Sequence, residues 1–165
     1  MERRALRKAY GAFATGVTVV TVGGAAPHGM TANSFTSVSL DPPLVLVCVD
    51  RTAQMHGRID TEPVFGVSVL AAEHDKLARH FADPDRPEGA PQFDGVDWEP
   101  GPRTGVPLIS RALAWFECEV ARRYDGGDHT IVLGRLLTAE RCGDGGGLLF
   151  QYGNLWPDES ARGSR

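Results

Sequence analysis

Cysteine is sparse in this 165-residue chain: Cys48, Cys118 and Cys142 stand too far apart for a metal-binding pair or a disulfide framework. The five histidines (28, 56, 74, 80 and 129) form no HExxH or related set, so no zinc site is expected. Positive charge is also short. Lys+Arg number 17 against 21 Asp+Glu, a net charge of −4, which leaves no electrostatic footprint for nucleic acid. No apolar run approaches the ~18 residues that would cross a bilayer. The opening MERRALRKAYGAF lacks the apolar core of a secretory leader, and a cytoplasmic location is expected. No GxSxG or similar nucleophile motif occurs, and the Gly-rich fingerprint and βαβ alternation of a dinucleotide-binding Rossmann sheet are both missing.

What is present is a strand-rich chain of ordinary composition, with 42% hydrophobic and 23% charged residues. One domain over 1–157 is expected, followed by a disordered tail over 158–165. Leu6, Tyr10 and Phe13 suggest a short amphipathic helix, with Arg3, Arg4, Arg7 and Lys8 on a solvated face. Val17 to Val22 is β-branched throughout and reads as a strand, turning at Gly23-Gly24. Gly29 to Ser39 returns as one or two extended segments. The Asp41-Pro42-Pro43 break follows, then a buried strand from Leu44 to Val49.

Thr52 is placed to cap a helix bearing Met55 and Ile59. Val64 to Leu70 is a strand and His74 to Ala82 a helix, with Leu77 and Phe81 on one face. Residues 83–107, rich in proline and glycine, form a long structured loop, more often a lid or interface than idle. In Ala112 to Tyr124, Ala114, Phe116, Cys118 and Val120 face one way and Glu117 and Glu119 the other. Strands at Thr130–Leu137 and Leu148–Tyr152 complete a mainly β chain, an antiparallel barrel with peripheral helices.

Three constellations carry possible chemistry. Between Thr31 and Ser39, six hydroxyl or amide side chains fall within nine residues. They offer neutral donors to a phosphorylated ligand, or simply line a wet strand. Arg51 and Thr52 stand just beyond the aliphatic strand, where a phosphate would gain a charge and helix N–H groups. Gly126-Gly127-Asp128-His129 aims a histidine from a glycine turn into a cleft, or serves the turn itself. Phe81 either packs in the core or stacks on an aromatic ligand.

Together, FATGVTVVT (13–21), GMTANSFTSVSLDPPLVLVCVD (29–50), FGVSVLAAEHDKLARHFA (65–82), GVPLISRALAWFECEV (105–120) and YDGGDHTIVLGRL (124–136) closely resemble the flavin reductase family. These are the reductase components of two-component flavin-dependent monooxygenases, with a split-barrel flavin-binding fold. The resemblance implies a Greek-key-like antiparallel split barrel, a homodimer, FMN or FAD as flavin, and NADH or NADPH as co-substrate. It implies a partner monooxygenase that takes up the reduced flavin, with no nucleic acid or membrane partner. It further implies that Met30, Thr31, Ala32, Asn33 and Ser34 meet the flavin ring. Ser37, Val38 and Ser39, with Cys48, Val49, Asp50, Arg51 and Thr52, would surround the phosphate, and Phe81 would lie near the ring. His129, with Asp128, would bind the nicotinamide nucleotide and is the candidate catalytic group, since the cofactors carry the reaction. The chain departs from the family at Gln151-Tyr152-Gly153-Asn154, where an aromatic-Arg-Gly-Arg type stretch is common.

Two further readings stand beside the reductase. One is a flavin-binding module without NAD(P)H turnover, since split barrels host several activities. The other is a flavin-dependent oxidase of a small amine, although the Arg/Lys clamp for a phosphorylated amine is hard to find.

Overall fold

The computed structural model describes residues 2–157. In chain order the elements are α1 (Arg3–Gly11), β1 (Thr15–Gly16), β2 (Thr18–Val22), β3 (His28–Ala32), β4 (Thr36–Leu40), β5 (Pro43–Asp50) and α2 (Gln54–Thr61). There follow β6 (Val64–Val69), α3 (Asp75–Ala82), β7 (Trp98–Pro100), β8 (Pro107–Ile109), β9 (Ala114–Gly126), β10 (His129–Arg141), β11 (Leu148–Gln151) and β12 (Asn154–Pro157). A seven-stranded antiparallel sheet runs β3-β2-β6-β9-β10-β5-β4, beside smaller sheets β1-β11-β12 and β7-β8. The mainly β, antiparallel architecture matches the expectation. The tail expected to be disordered lies outside the described residues.

One connection dictates the shape. β3 and β4 are the two edges of the seven-stranded sheet, yet only Asn33–Phe35 joins them. Laid flat, six inter-strand steps would part these edges by about 29 Å. The four steps from Ala32 to Thr36 reach at most about 14 Å. The sheet therefore curls until its edges approach without pairing, which makes a barrel with a split.

β2 explains its own composition. Val20 and Val22 enter one core cluster, and Val17 and Val19 a second on the other face. A strand buried on both sides tolerates few polar groups, each burial of a valine side chain contributing roughly 1.5–3 kcal/mol. Its two threonines are satisfied: Thr18 Oγ1 donates to the Ala32 carbonyl (2.8 Å) and Thr21 Oγ1 to that of Pro107 (2.5 Å). β5 differs from the expectation. Val45, Val47 and Val49 are buried, but Leu44, Leu46 and Cys48 on the other face are only half-buried.

Other local readings need correction. α1 forms, but none of its residues is buried, and Tyr10 and Phe13 are 70% and 76% exposed. Met55 and Ile59 are buried under α2 as expected, whereas Thr52 does not cap that helix. Its N–H and Oγ1 both donate to the Asp50 carboxylate (2.8 and 2.7 Å), a local bond that outcompetes the cap. Glu117 is fully buried rather than facing solvent. Its carboxylate accepts the N–H groups of Arg103 and Thr104 and the Thr104 hydroxyl, holding the turn that precedes β8.

The loop over 83–107 is docked on the outer edge of β3. Gln92 Oε1 accepts the Gly29 N–H (2.7 Å) and Arg86 Nη2 donates to the Gly29 carbonyl (2.7 Å). Arg86 Nη2 also lies 2.9 Å from His28 Nε2. Gly29 cannot carry a side chain here, because a Cβ would come within 2.6 Å of the Phe81 ring.

Candidate active site

The barrel's split opens into a cleft of about 940 Å³. Asn33 and Ser34 line one wall, Phe150 and Gly153 of the β11–β12 hairpin another, and Arg7 and Tyr10 of α1 its rim. A smaller recess of about 270 Å³ shares Asn33, Phe150 and Gly153 and adds Thr31, Arg79 and Asn154. Backbone alternation governs what β3 offers. Gly29 points its N–H and carbonyl outward to Gln92 and Arg86, so Thr31, two residues on, points its own along the same free edge. The docked loop takes the first outward position and leaves the second open.

The side chains of this segment are mostly spent on shaping it. Thr31 Oγ1 donates to the Ala78 carbonyl of α3 (2.7 Å). Ser34 Oγ donates to the Cys48 carbonyl and accepts its N–H, both at 3.0 Å. Ala32 is buried with its carbonyl held by Thr18, and Met30 packs against the core. Asn33 is exposed at the mouth. Main-chain groups and Asn33 therefore face the cleft, with the hydroxyls holding them in place.

A second group meets at the far end of β5, against the β9–β10 turn. His129 pairs with Asp50 in register, and the Arg51 N–H donates to the Asp128 carbonyl (3.0 Å). His129 Nδ1 lies 2.7 Å from an Asp128 carboxylate oxygen. Gly127 adopts φ +78°, a left-handed conformation that favours glycine and closes this turn. The Arg51 guanidinium is partly engaged: Nε donates to the Gly127 carbonyl (2.9 Å) and Nη2 to Asp125 (2.8 Å), which leaves Nη1 for a ligand. The Asp50 carboxyl is held below the usual range by the Thr52 N–H and hydroxyl. Burial pushes the Cys48 thiol up, which keeps it neutral. The Val49 side chain is fully buried, so only its neighbours face outward.

Two expected groupings fail within one chain. β4 pairs Ser37 with Val45 and Ser39 with Leu44, with a bulge at Val38. Cys48 to Asp50 therefore lie three to six residues farther along the strand, roughly 10–20 Å away, with Arg51 and Thr52 past its end, and the two sets form no single cradle in one chain. Phe81 is fully buried, packed on Phe93 with ring centroids 5.4 Å apart, and presents no face for stacking. Its helix neighbour Arg79 borders the recess with Ala78 and Ala82, and is the charged side chain that α3 brings there. Arg7, on the face of α1 expected to be solvated, rims the cleft in the fold. His56 Nε2 lies 2.8 Å from Thr130 Oγ1, one residue from His129.

Such a site can grip a flat polar ring by main-chain hydrogen bonds. Its volume is within the ~300–1,000 Å³ range of small-molecule clefts. The cleft walls present no acid, base and nucleophile in an arrangement for hydrolysis; what they supply is position.

Comparison with known proteins agrees. The chain is 58% identical over 154 residues to an NADH-dependent FAD reductase of Streptomyces globisporus, covering 93% of this chain and 85% of that protein. The NADH:FAD oxidoreductase SgcE6 of Streptomyces globisporus C-1027, solved with NAD and FAD fragments, superposes with TM-score 0.90 at 53% identity, covering 96% and 94% of the two chains. BorF, the flavin reductase component of a bacterial two-component tryptophan halogenase, gives TM-score 0.91 at 55% identity over 96% of this chain and 100% of that one. The flavin reductase-like domain model matches residues 10–155, and the chain belongs to that family.

Proposed function

We propose that this protein is an NADH-dependent flavin reductase that releases reduced FMN or FAD to a separate monooxygenase. The observation that carries the reading is the cleft at the barrel's split, where the Thr31 backbone edge stands beside the uncharged Asn33 and Ser34. Thr31 to Ser34 carry no charge of their own, which suits a flavin ring that must exchange. The names of its relatives point the same way.

When bound, the flavin and nicotinamide supply the hydride chemistry, from nicotinamide C4 to flavin N5. This chain's task is to hold the rings in contact, where proximity provides much of the acceleration. Main-chain N–H groups around Thr31 to Ser34 bind the polar edge of the flavin ring and offset negative charge on its reduced form. His129, steadied by Asp128, orients the nicotinamide nucleotide. The preference for NADH over NADPH follows the relatives, an NADH-dependent FAD reductase and an NADH:FAD oxidoreductase.

Residues 1–157 would act as one unit, and a second copy would complete the site. Leu40 is 96% exposed, and Val38 beside it lies on the free edge of β4. A dimer would bury these and bring one copy's Ser37–Ser39 toward the flavin of the other, as one chain alone does not. Drawing on the reduced nicotinamide pool, the enzyme would act in the cytoplasm; among the described residues no helix is long and apolar enough to cross a membrane.

The test is loss of NADH absorbance at catalytic protein concentrations, with and without added FMN or FAD. Turnover that requires flavin is expected. Flavin binding without NADH consumption would make the protein a carrier, and peroxide formed from an amine without NADH would make it an oxidase; either overturns the proposal. Light scattering after size exclusion tests the dimer.

A further inference from the structure

The cations of α1 stand at positions 3, 4, 7 and 8, a spacing that gathers Arg3, Arg4, Arg7 and Lys8 on one side of the helix. In a chain of net charge −4 this concentration is unusual, and none of the four enters an ion pair among the described residues. They are not spread over open solvent alone. All four line an open cavity of about 870 Å³ bordered also by Tyr152 and Gly153. That cavity shares Arg7, Gly11 and Gly153 with the cleft bordered by Asn33 and Ser34. A single trough thus runs from a neutral ring-binding end to a cationic end.

The helix is fixed at this place although it buries none of its residues. The Tyr152 N–H donates to the Gly11 carbonyl (2.7 Å), and Gln151 Nε2 donates to the Ala12 carbonyl (3.1 Å). These bonds pin the C-terminal end of α1 to the hairpin that forms the cleft wall. Arg51, past the end of β5, borders neither the cleft nor the cavity and pairs with Asp125 at the surface. Within this trough, α1 supplies four cations unpaired among the described residues, whereas Arg79 at the neighbouring recess is paired with Asp75.

We infer that the cationic side of α1 receives the diphosphate of a dinucleotide whose ring lies at Thr31–Ser34. The diphosphate linkage is common to FAD and to NADH, and FMN and riboflavin lack it. The identity of the ring rests on the reductase reading above, but the diphosphate site does not.

The test replaces Arg3, Arg4, Arg7 and Lys8 together by Gln, a good helix former, in the full chain. Because these side chains are exposed and pack in no core, folding is expected to be unaffected, as circular dichroism will show. ADP, which carries the diphosphate without either reactive ring, is the direct probe by calorimetry. Its affinity is expected to fall about tenfold in the variant, and wild-type binding to weaken with added salt. A variant with Arg122, Arg135 and Arg141 changed to Gln controls for general charge and should bind ADP as the wild type does.

Two further arms identify the source. A selective loss of FAD affinity, with FMN and riboflavin unchanged, assigns the diphosphate to the flavin. A raised KM for NADH with riboflavin as acceptor assigns it to the nicotinamide nucleotide. Equal losses for FMN and FAD, equal losses in the control variant, or unchanged ADP binding would each overturn the inference. ADP binding that responds as expected in a protein with no NADH turnover would sink the reductase reading and leave the site standing.

Discussion

Ser34 Oγ lies 3.0 Å from both the N–H and the carbonyl of Cys48, so one hydroxyl ties the connection across the barrel's split to the end of β5. It links the segment that follows β3 to the strand leading to Arg51 and Thr52. Ser34→Ala removes both bonds and leaves half-buried main-chain groups of Cys48 without that partner. We expect a loss of about 1–2 kcal/mol in denaturant unfolding. Fluorescence titration should show flavin affinity falling several-fold, because the Asn33–Ser34 backbone loses its anchor. Unchanged flavin affinity would separate this bond from the site.

His129 and Asp128 predict a different signature. The imidazole is about 40% exposed and its Nδ1 is held by Asp128, which leaves Nε2 to meet a ligand. His129→Ala should raise the KM for NADH by about tenfold while the flavin Kd stays within a factor of two. Asp128→Asn should produce a smaller change of the same kind. Steady-state kinetics with unchanged NADH dependence would remove His129 from this role.

How far these features could be read from sequence depends on how local their causes are. The all-β-branched run in β2 was legible because burial on both faces leaves its mark on every residue. The Gly126–His129 turn was legible because a glycine pair and an Asx residue set its geometry within four positions. Arg51 misled because its partner Asp125 is 74 residues away, and an isolated cation after a strand looks available. Thr52 misled because the Asp50 side chain, two residues back, competes for the same hydroxyl. The Ser37–Ser39 grouping failed on register, since a hairpin's pairing moves sequence neighbours to opposite ends of a strand. The bearing of α1 on the cleft depends on Tyr152 meeting Gly11, a contact that no composition signal encodes.

Glu117 should be among the most sensitive core positions. Its buried carboxylate gathers the Arg103 and Thr104 N–H groups and the Thr104 hydroxyl, at 3.1, 2.7 and 2.6 Å. Gly101 packs directly against it, where a Cβ would collide with the carboxylate. Glu117→Ala strands these donors and should cost about 3 kcal/mol. Hydrogen exchange should quicken over 101–109 before it does in β9. Glu117→Gln keeps the acceptor oxygen and should recover more than half of the loss.

His28 gives the fold a pH dependence whose sign can be worked out. Burial first, then the nearby Arg86 and Arg58 guanidinium groups, lower its pKa to about 4 from an ordinary 6.5. The unfolded chain therefore binds a proton between pH 6.5 and 4 that the folded chain refuses, so stability falls as pH drops through that window. The loss attributable to His28 is up to about 3 kcal/mol. His74, also lowered by burial, acts in the same direction. The Asp50 and Asp125 carboxyls are held below 3.8, so their contributions fade only at lower pH. Urea unfolding of the wild type at pH 7, 6, 5 and 4 should show the decline, and His28→Gln should flatten most of it whatever its stability at pH 7. An equal slope in the variant would mean that Arg86 and the buried pocket around it do not exclude the proton as the geometry requires.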